Sequence, residues 1–329
     1  MIFTQSAKDE NNRQERMKNL LDAVKAGRFM SLVIEPASLC NLTCNFCDLH
    51  SGRSGKMHKE KGVMSLEQYH LILDEIDNLG FRFETVFFHG NGEPLLNKNL
   101  ADMISMAVDR KIGGRYVMFT NGTLMTPDIF DQLMTSGIDE INVSLDTINP
   151  EVYKKVKGKD LLADVLDHIE YGIKRVLQSP TISLCIKCSK GGNIYGIDDE
   201  NMQQIIDKYA SVATDSQHIH VKISPIVELA DGMVRQTQEY HTPCELPFYM
   251  TFIKYDGRVS ICCADIFDGL NIGRIGDDHF KDILRGQQLR KIRETHLSGN
   301  LDRIPLCKYC GNRTVIDLSN YRDELLALI

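Results

Sequence analysis

Six short apolar runs recur along the first two thirds of the chain, each followed by a stretch of helical character. This alternation restricts the fold more than any other feature. The runs are SLVIEP (31–36), ETVFFH (84–89), RYVMFT (115–120), EINVSL (140–145), TISLCIK (181–187) and HIHVKIS (218–224). They are short and mostly apolar, as strands covered on both faces are. Residues 10–28 read as a polar helix leading into them. Ser65-Leu66-Glu67-Gln68 reads as a capping box. Thr126-Pro127 and Gly137 bracket another helix, with proline in its first turn and glycine just past its end. Residues 161–177 and 199–213 supply two more. Strand–helix units in series build a parallel sheet with helices outside. Six units over roughly 195 residues suit a partial (β/α)6 barrel better than a closed eight-fold one, and chemistry in such folds sits at the C-terminal strand ends.

From about residue 240 the pattern changes. FYMTFIKYDGRVSICC (248–263) reads as a hairpin turning at Asp256-Gly257. A helical stretch at 278–297, the pair Cys307 and Cys310, and a terminal helix follow. The expected organisation is an N-terminal helical lead (1–30), a barrel (31–239) and a small α+β module (240–329).

The loop after the first run is CNLTCNFC, which places Cys40, Cys44 and Cys47 within eight residues. An odd count does not suit disulfides. The ten cysteines lie at 40, 44, 47, 185, 188, 244, 262, 263, 307 and 310. The N-terminus is polar, with no signal-peptide core, and no apolar run reaches the ~18 residues of a membrane span, so a cytosolic chain is expected. Disulfides rarely persist in that compartment, and metal or cluster ligation explains the cysteines better. A net charge of −7, with no basic block, gives nucleic acid no electrostatic purchase. Three thiolates on one loop leave a metal centre with an open position. Two readings follow: a four-iron cluster short of one protein ligand, or a zinc site completed by His50 or Asp48.

In this context the chain resembles the radical S-adenosylmethionine (SAM) superfamily, whose signature is C-x3-C-x2-C after the first strand of a partial barrel. The resemblance implies that Cys40, Cys44 and Cys47 hold a [4Fe–4S] cluster. SAM would fill the open iron through its amino and carboxylate groups and be cleaved to a 5′-deoxyadenosyl radical that abstracts hydrogen. It places Phe46 near the adenine. GNGEP (90–94) looks like the family's Gly-Gly-Glu-type motif, with Gly90, Asn91, Gly92 and Glu93 meeting the SAM amino group. A carboxylate suits an ammonium in a shielded site. By the same resemblance Thr120, Asn121, Ser144 and Asp146, at the next two strand ends, lie near the ribose or carboxylate.

The C-terminal cysteines resemble the SPASM/twitch extensions of the superfamily. Twelve residues separate Cys244 from Gly257, four more lead to Cys262, and Cys307-x2-Cys310 follows. A full SPASM module carries further cysteines, which this chain lacks after Cys310. The shorter twitch type is therefore implied, with Cys244, Cys262, Cys307 and Cys310 ligating one auxiliary [4Fe–4S] cluster. A four-thiolate structural zinc is the competing reading. Gly257 fits the turn that returns the chain.

Three cysteines remain. Cys185 and Cys188, three apart on a strand, face opposite sides and are expected to pack in the core. Cys263 faces away from Cys262 and either packs or donates a hydrogen atom to a substrate radical. Lys187 and His89, at strand ends, are candidate catalytic groups beside the plainer readings of a solvated lysine and a satisfied histidine.

Taken whole, with FFHGNGEPLLNKNL, FTNGTLMT and LCKYCGN, the chain looks most like 2-deoxy-scyllo-inosamine dehydrogenase-type enzymes. That likeness implies oxidation of a secondary alcohol on a sugar- or aminocyclitol-like small molecule, with the auxiliary cluster accepting an electron and a flavodoxin or ferredoxin as reductant. The alternatives are epimerisation with Cys263 as hydrogen donor, peptide modification, and a zinc-stabilised binding module. Only about 30 residues precede the first run, which argues against a separate peptide-leader domain.

Overall fold

The structure, a computed structural model, describes residues 2–4, 10–47, 49–51, 61–190, 195–225, 243–263, 265–266, 268–308, 310 and 318–329. All six apolar runs form strands: β2 (Ser31–Ile34), β3 (Thr85–Phe88), β4 (Tyr116–Thr120), β5 (Glu140–Ser144), β6 (Ser183–Lys190) and β7 (Ile219–Pro225). Each pairs in parallel with the next in sequence. Helices cross between them: α2 (Leu66–Asp77), α3 (Leu100–Asp109), α4 (Pro127–Thr135), α5 (Pro150–Lys157), α6 (Leu162–Gln178) and α7 (Asp199–Asp215). This is the expected six-unit parallel architecture.

Both edges of the parallel array are covered. A strand the sequence reading did not foresee, β1 (Ile2–Thr4), pairs with β7. At the other edge β8 (Met250–Ile253) pairs in parallel with β2, in register Ser31 to Met250. The expected hairpin then runs from β8 to β9 (Arg258–Ser260), with Gly257 at φ +87° in the turn. A further strand, β10 (Asn271–Arg274), continues it. The outer edges are then the short strands β1 and β10, and short edge strands limit templated association. The pairing of β8 with β2 also ties the C-terminal module to the first barrel strand.

Alternation along each strand separates two environments. On β3, Val86 and Phe88 are fully buried in the main core with Tyr69, Ile72, Met103 and Ile104 of the covering helices. Phe87, between them, packs instead with Val33 and Phe252. Thr126 does precede a helix with Pro127 at its first position, and Gly137 follows at φ +85°.

Three local expectations are corrected. Helix α1 (Glu10–Lys25) is not polar all round: Met17, Leu20, Leu21 and Val24 are buried in a second core with Phe248, Leu297 and Leu325. Only half of the capping box forms. The Ser65 hydroxyl accepts from Gln68 N at 3.1 Å, but the Gln68 side chain turns inward beneath Gly257. The stretch 278–297 is two helices, α9 (Phe280–Ile283) and α10 (Gln287–Leu297), parted where Gly286 takes extended backbone. The short α8 (Leu246–Tyr249) and α11 (Pro305–Lys308) and the terminal α12 (Arg322–Leu328) complete the chain.

Candidate active site and cysteine-lined cavity

The cysteine loop leaves the C-terminal end of β2 and lies across the C-terminus of α5. Thr43 N donates to Lys157 O at 3.2 Å and Asn45 N to Val156 O at 2.8 Å, so two helix-end carbonyls find partners in the loop. Gly158 caps the helix at φ +77°, and a Cβ there would lie 2.0 Å from Thr43 Oγ1. Beneath the loop the Lys157 ammonium pairs with the Asp146 carboxylate, their side chains only 2% and 3% exposed. Lys157 Nζ also stands 5.3 Å from the centre of the Phe46 ring. Burial raises the Cys44 thiol's pKa and the Lys157 charge opposes it, which places that cation close to Cys44. The sequence reading missed Lys157. Asp146, expected near the ribose or carboxylate of SAM, accepts from Lys157 and, at 3.1 Å, from Ser189 N.

Cys40, Cys44 and Cys47 are half-buried and in no disulfide. Burial pushes the Cys40 thiol up to about 11, and Glu93, Cys44 and Cys47 all lie near enough to add to the rise. Of the two proposed zinc partners, Asp48 lies outside the described residues. His50 is turned elsewhere, with Nε2 2.8 Å from Asn91 O and Nδ1 3.3 Å from Lys61 Nζ. Three thiols on one loop are the donor set of a cluster that leaves one iron to another ligand.

The glycine-rich motif locks against this loop. A Cβ on Gly92 would lie 2.2 Å from Leu39 O and 2.6 Å from Ala37 O, and Glu93 N donates to Leu39 O at 2.8 Å. A Cβ on Gly90 would strike the Glu35 side chain. Glu35, also missed, is buried at the end of β2 and accepts from Asn91 N at 2.7 Å and Tyr255 N at 3.2 Å. Burial raises its pKa against both bonds. The Glu93 carboxylate accepts from Thr120 Oγ1 (2.6 Å), Asn121 N (2.7 Å) and Leu95 N (3.1 Å). Burial nevertheless lifts its pKa to about 7. A carboxylate has about four acceptor positions, so Glu93 braces two strand ends and keeps one position open. Asn121 donates to Asn41, Asn41 to Thr123 and Thr123 back to Asn121, linking the third strand end to the residue after Cys40. Gly92→Ala should therefore displace the cysteine loop and cut iron uptake at the triad at least about tenfold, read by iron analysis. Gly269→Ala, with no neighbour nearer than 3.8 Å, should not.

The barrel interior below these loops carries His89, Phe119 and Lys187. The His89 and Phe119 rings meet edge to face at 5.0 Å, Phe87 lies 5.9 Å from His89, and Lys187 Nζ is 5.2 Å from the Phe119 centroid. Burial, with the nearby Lys187 charge, lowers His89 to about 4, so it is neutral at physiological pH. Lys187 is lowered too, by burial first, with Lys222 adding and Asp146 and Cys263 opposing. Cys263 is therefore within electrostatic reach of Lys187, and it packs with Cys262 against the cluster of Val33, Leu246, Met250 and Phe252 instead of facing away from Cys262. Ser144, the register partner of Lys187, accepts from Lys157 Nζ through its carbonyl at 3.5 Å. Cys185 and Cys188 are fully buried, as expected of packing residues. Deeper in the strands Glu140 gathers Arg115 and Lys222, each at 2.6 Å, and plugs the floor.

In the C-terminal module Cys244, Cys262, Cys307 and Cys310 line one cavity with Leu246, Leu270, His296 and Leu306. Among the described residues no three His, Cys, Asp or Glu side chains close around a single-ion point. The four cysteines share one lining, and four thiols are the usual donor set of a four-iron group.

The sequence model of the Radical SAM superfamily matches residues 34–210, more than half of the chain. The chain belongs to this superfamily. A second model, the SPASM iron–sulfur cluster-binding domain, matches residues 244–311. As a radical SAM enzyme the chain uses a [4Fe–4S] cluster and SAM, and the second match adds auxiliary iron–sulfur chemistry. The chain is 23% identical over 287 residues to the S-adenosyl-L-methionine-dependent 2-deoxy-scyllo-inosamine dehydrogenase of Niallia circulans, covering 87% of this chain and 94% of that one. It is 31% identical over 154 residues to a probable GTP 3′,8-cyclase of Methanocaldococcus jannaschii, but over 46% of this chain and 47% of that one. The fold matches the crystal structure of BtrN in complex with AdoMet and 2-DOIA (TM-score 0.58, 21% identity, 88% and 94% covered). It also matches native anSMEcpe with bound AdoMet (TM-score 0.59, 15% identity, 90% and 95% covered). Among the described residues no helix is long and apolar enough to cross a membrane.

Proposed function

We propose that this radical SAM enzyme oxidises a secondary alcohol of a sugar- or aminocyclitol-like small molecule. Membership of an enzyme superfamily replaces the zinc-stabilised binding module as a reading. The observation that carries the proposal is Lys187, held inside the barrel against Phe119 and beside neutral His89, with no salt bridge among the described residues. The nearby Asp146 is already committed to Lys157. The near full-length likeness to a dehydrogenase of an aminocyclitol supports the substrate class.

In this reading Cys40, Cys44 and Cys47 hold the SAM-binding cluster, and Cys244, Cys262, Cys307 and Cys310 the auxiliary one. Bound SAM and the two clusters supply the hydrogen-abstracting radical and the path for the second electron. The protein's own groups do the rest. Gly90, Asn91, Gly92 and the open acceptor position of Glu93 receive the SAM ammonium. Phe46 lines the adenine side, and Thr120, Asn121, Ser144 and Asp146 hold the surrounding strand ends in place. Phe87 and Phe119 keep water from the reacting carbon. Neutral His89 orients the substrate hydroxyl, and Lys187 in its amine form takes the hydroxyl proton. In this reading residues 1–30 lead into the barrel, residues 31–239 form it, and residues 240–329 form the auxiliary module.

A base must be deprotonated, and burial lowers Lys187 from 10.5. Product formation should therefore rise with pH and level off below the ordinary lysine value. Lys187→Met should lower it by about 10²–10⁴-fold, with SAM cleavage retained. Undiminished carbonyl product from that variant would sink the assignment. Cys263 supports epimerisation as a second reading, since it lies within electrostatic reach of Lys187. Turnover in deuterated water separates the two. Oxidation gives a carbonyl product with no deuterium at the reacting carbon, and an isomer carrying one deuterium there would establish the epimerase.

A further inference from the structure

The chain carries a net charge of −7, yet residues 285–293, RGQQLRKIR, hold four cations and no acid. They span the break between α9 and α10. Arg293 turns inward: its Nε donates to Pro247 O at 2.9 Å, and its guanidinium lies 5.2 Å from the Phe29 ring centre and 5.4 Å from that of Phe248. Arg290 pairs with Glu294 at 2.9 Å. Arg285 and Lys291 are exposed, as is Arg303 beyond the end of α10, and none of the three makes a salt bridge among the described residues.

Lys291 and Arg303, with Thr295, line two adjoining grooves. The acids of these grooves are spent. Asp265 is buried and accepts from Ser260, Gly269 and Leu270, and Glu294 is paired with Arg290. Nearby Asp302 pairs with Lys308 at 2.7 Å. The first groove is also lined by Leu270 and Leu306, and both side chains line the four-cysteine cavity as well. One layer of side chains therefore separates an exposed basic groove from the cavity that Cys244, Cys262, Cys307 and Cys310 frame.

We propose that this groove is the docking surface for a small acidic one-electron carrier protein, which exchanges electrons with the group those cysteines hold. The inference rests on the reading that the four cysteines bind the auxiliary cluster. One electron leaves the reduced cluster, the oxidised carrier gains it, and no bond or proton crosses the interface. Electron-transfer encounters use small, weak interfaces whose rates are set by charge. A cationic rim on an otherwise acidic protein selects an acidic partner and sets its orientation.

The test uses the full, cluster-loaded chain with flavodoxin as the probe, and calorimetry at low and high salt. Lys291→Glu and Arg303→Glu should each weaken binding at least about tenfold at low salt, with all affinities converging as salt rises. Lys174→Glu, an equal charge change on the exposed face of α6, should bind like the wild type. SAM cleavage driven by dithionite should be unchanged in all three. Wild-type affinity in the two groove variants, or an equal loss in Lys174→Glu, would overturn the docking surface. Iron near four rather than about eight atoms per chain would instead sink the auxiliary-cluster reading, whatever the binding data.

Discussion

Replacing Lys157 with methionine should destabilise the apoprotein by about 3–5 kcal/mol, because it strands the Asp146 carboxylate in the interior. Both side chains are almost wholly inaccessible, and Ser189 N is the carboxylate's other partner. The pH dependence gives the cause away. In the wild type, burial pulls the Asp146 pKa up, but the Lys157 charge and bonds from Lys157 and Ser189 win, so it falls below 3.8. Burial opposes the Lys157 charge, yet Asp146 holds its pKa above 10.5. The pair's contribution is therefore complete between those two values. It is lost as pH falls through the depressed carboxylate value or rises through the raised lysine value. In Lys157→Met burial is opposed only by the Ser189 bond and the more distant Lys187 charge, so the carboxylate's folded pKa rises and stability should fall as pH climbs from the acid range to neutrality. The double variant Asp146→Asn/Lys157→Met removes the charge, keeps an acceptor for Ser189, and suits the φ of +34° at this position. It should recover most of the loss. Urea midpoints across pH read the effect, and a flat profile for Lys157→Met would exclude a stranded charge as its cause.

What the sequence disclosed follows from how local each signal is. The six barrel strands were legible because a strand buried on both faces must be written as a continuous apolar run. The cysteine triad was legible because its ligands share one loop. Glu35 was not, since its partners Asn91 and Tyr255 lie 56 and 220 residues away and nothing near it announces either. Lys157 lies in EVYKKVKGK, which reads as solvated charge. A signal was present even so: Asn149 and Pro150 open a helix and Gly158 closes it, placing Lys157 in the last turn. Only the docking of the cysteine loop onto that turn buries the ammonium. The strand at residues 2–4 was missed because three residues carry no period, and its pairing with β7 is supplied by the sheet edge. Glu93 shows the opposite case. Its motif was recognised, but its three bonds to Thr120, Leu95 and Asn121 reveal a bracing role that sequence spacing does not encode.

The two cysteine groups should fail in different ways when sulfur is replaced by oxygen. Cys40→Ser, Cys44→Ser and Cys47→Ser combined remove every thiol of the loop that locks against Gly92 and lies over Lys157. Iron should drop by about four atoms per chain, and 5′-deoxyadenosine should fall to background even with dithionite. Cys262→Ser or Cys307→Ser leaves that loop untouched, because their cavity lies in the C-terminal module beyond β8. Those variants should still cleave SAM. They should lose carbonyl product by about 10–100-fold, because the electron left on the substrate has no acceptor inside the protein. The ratio of product to 5′-deoxyadenosine is then the informative quantity, near one for the wild type and far below one for the auxiliary variants. Wild-type coupling in Cys262→Ser would remove the auxiliary cysteines from the electron path and leave them a structural role. SAM cleavage surviving the triple replacement would remove the loop from the chemistry altogether.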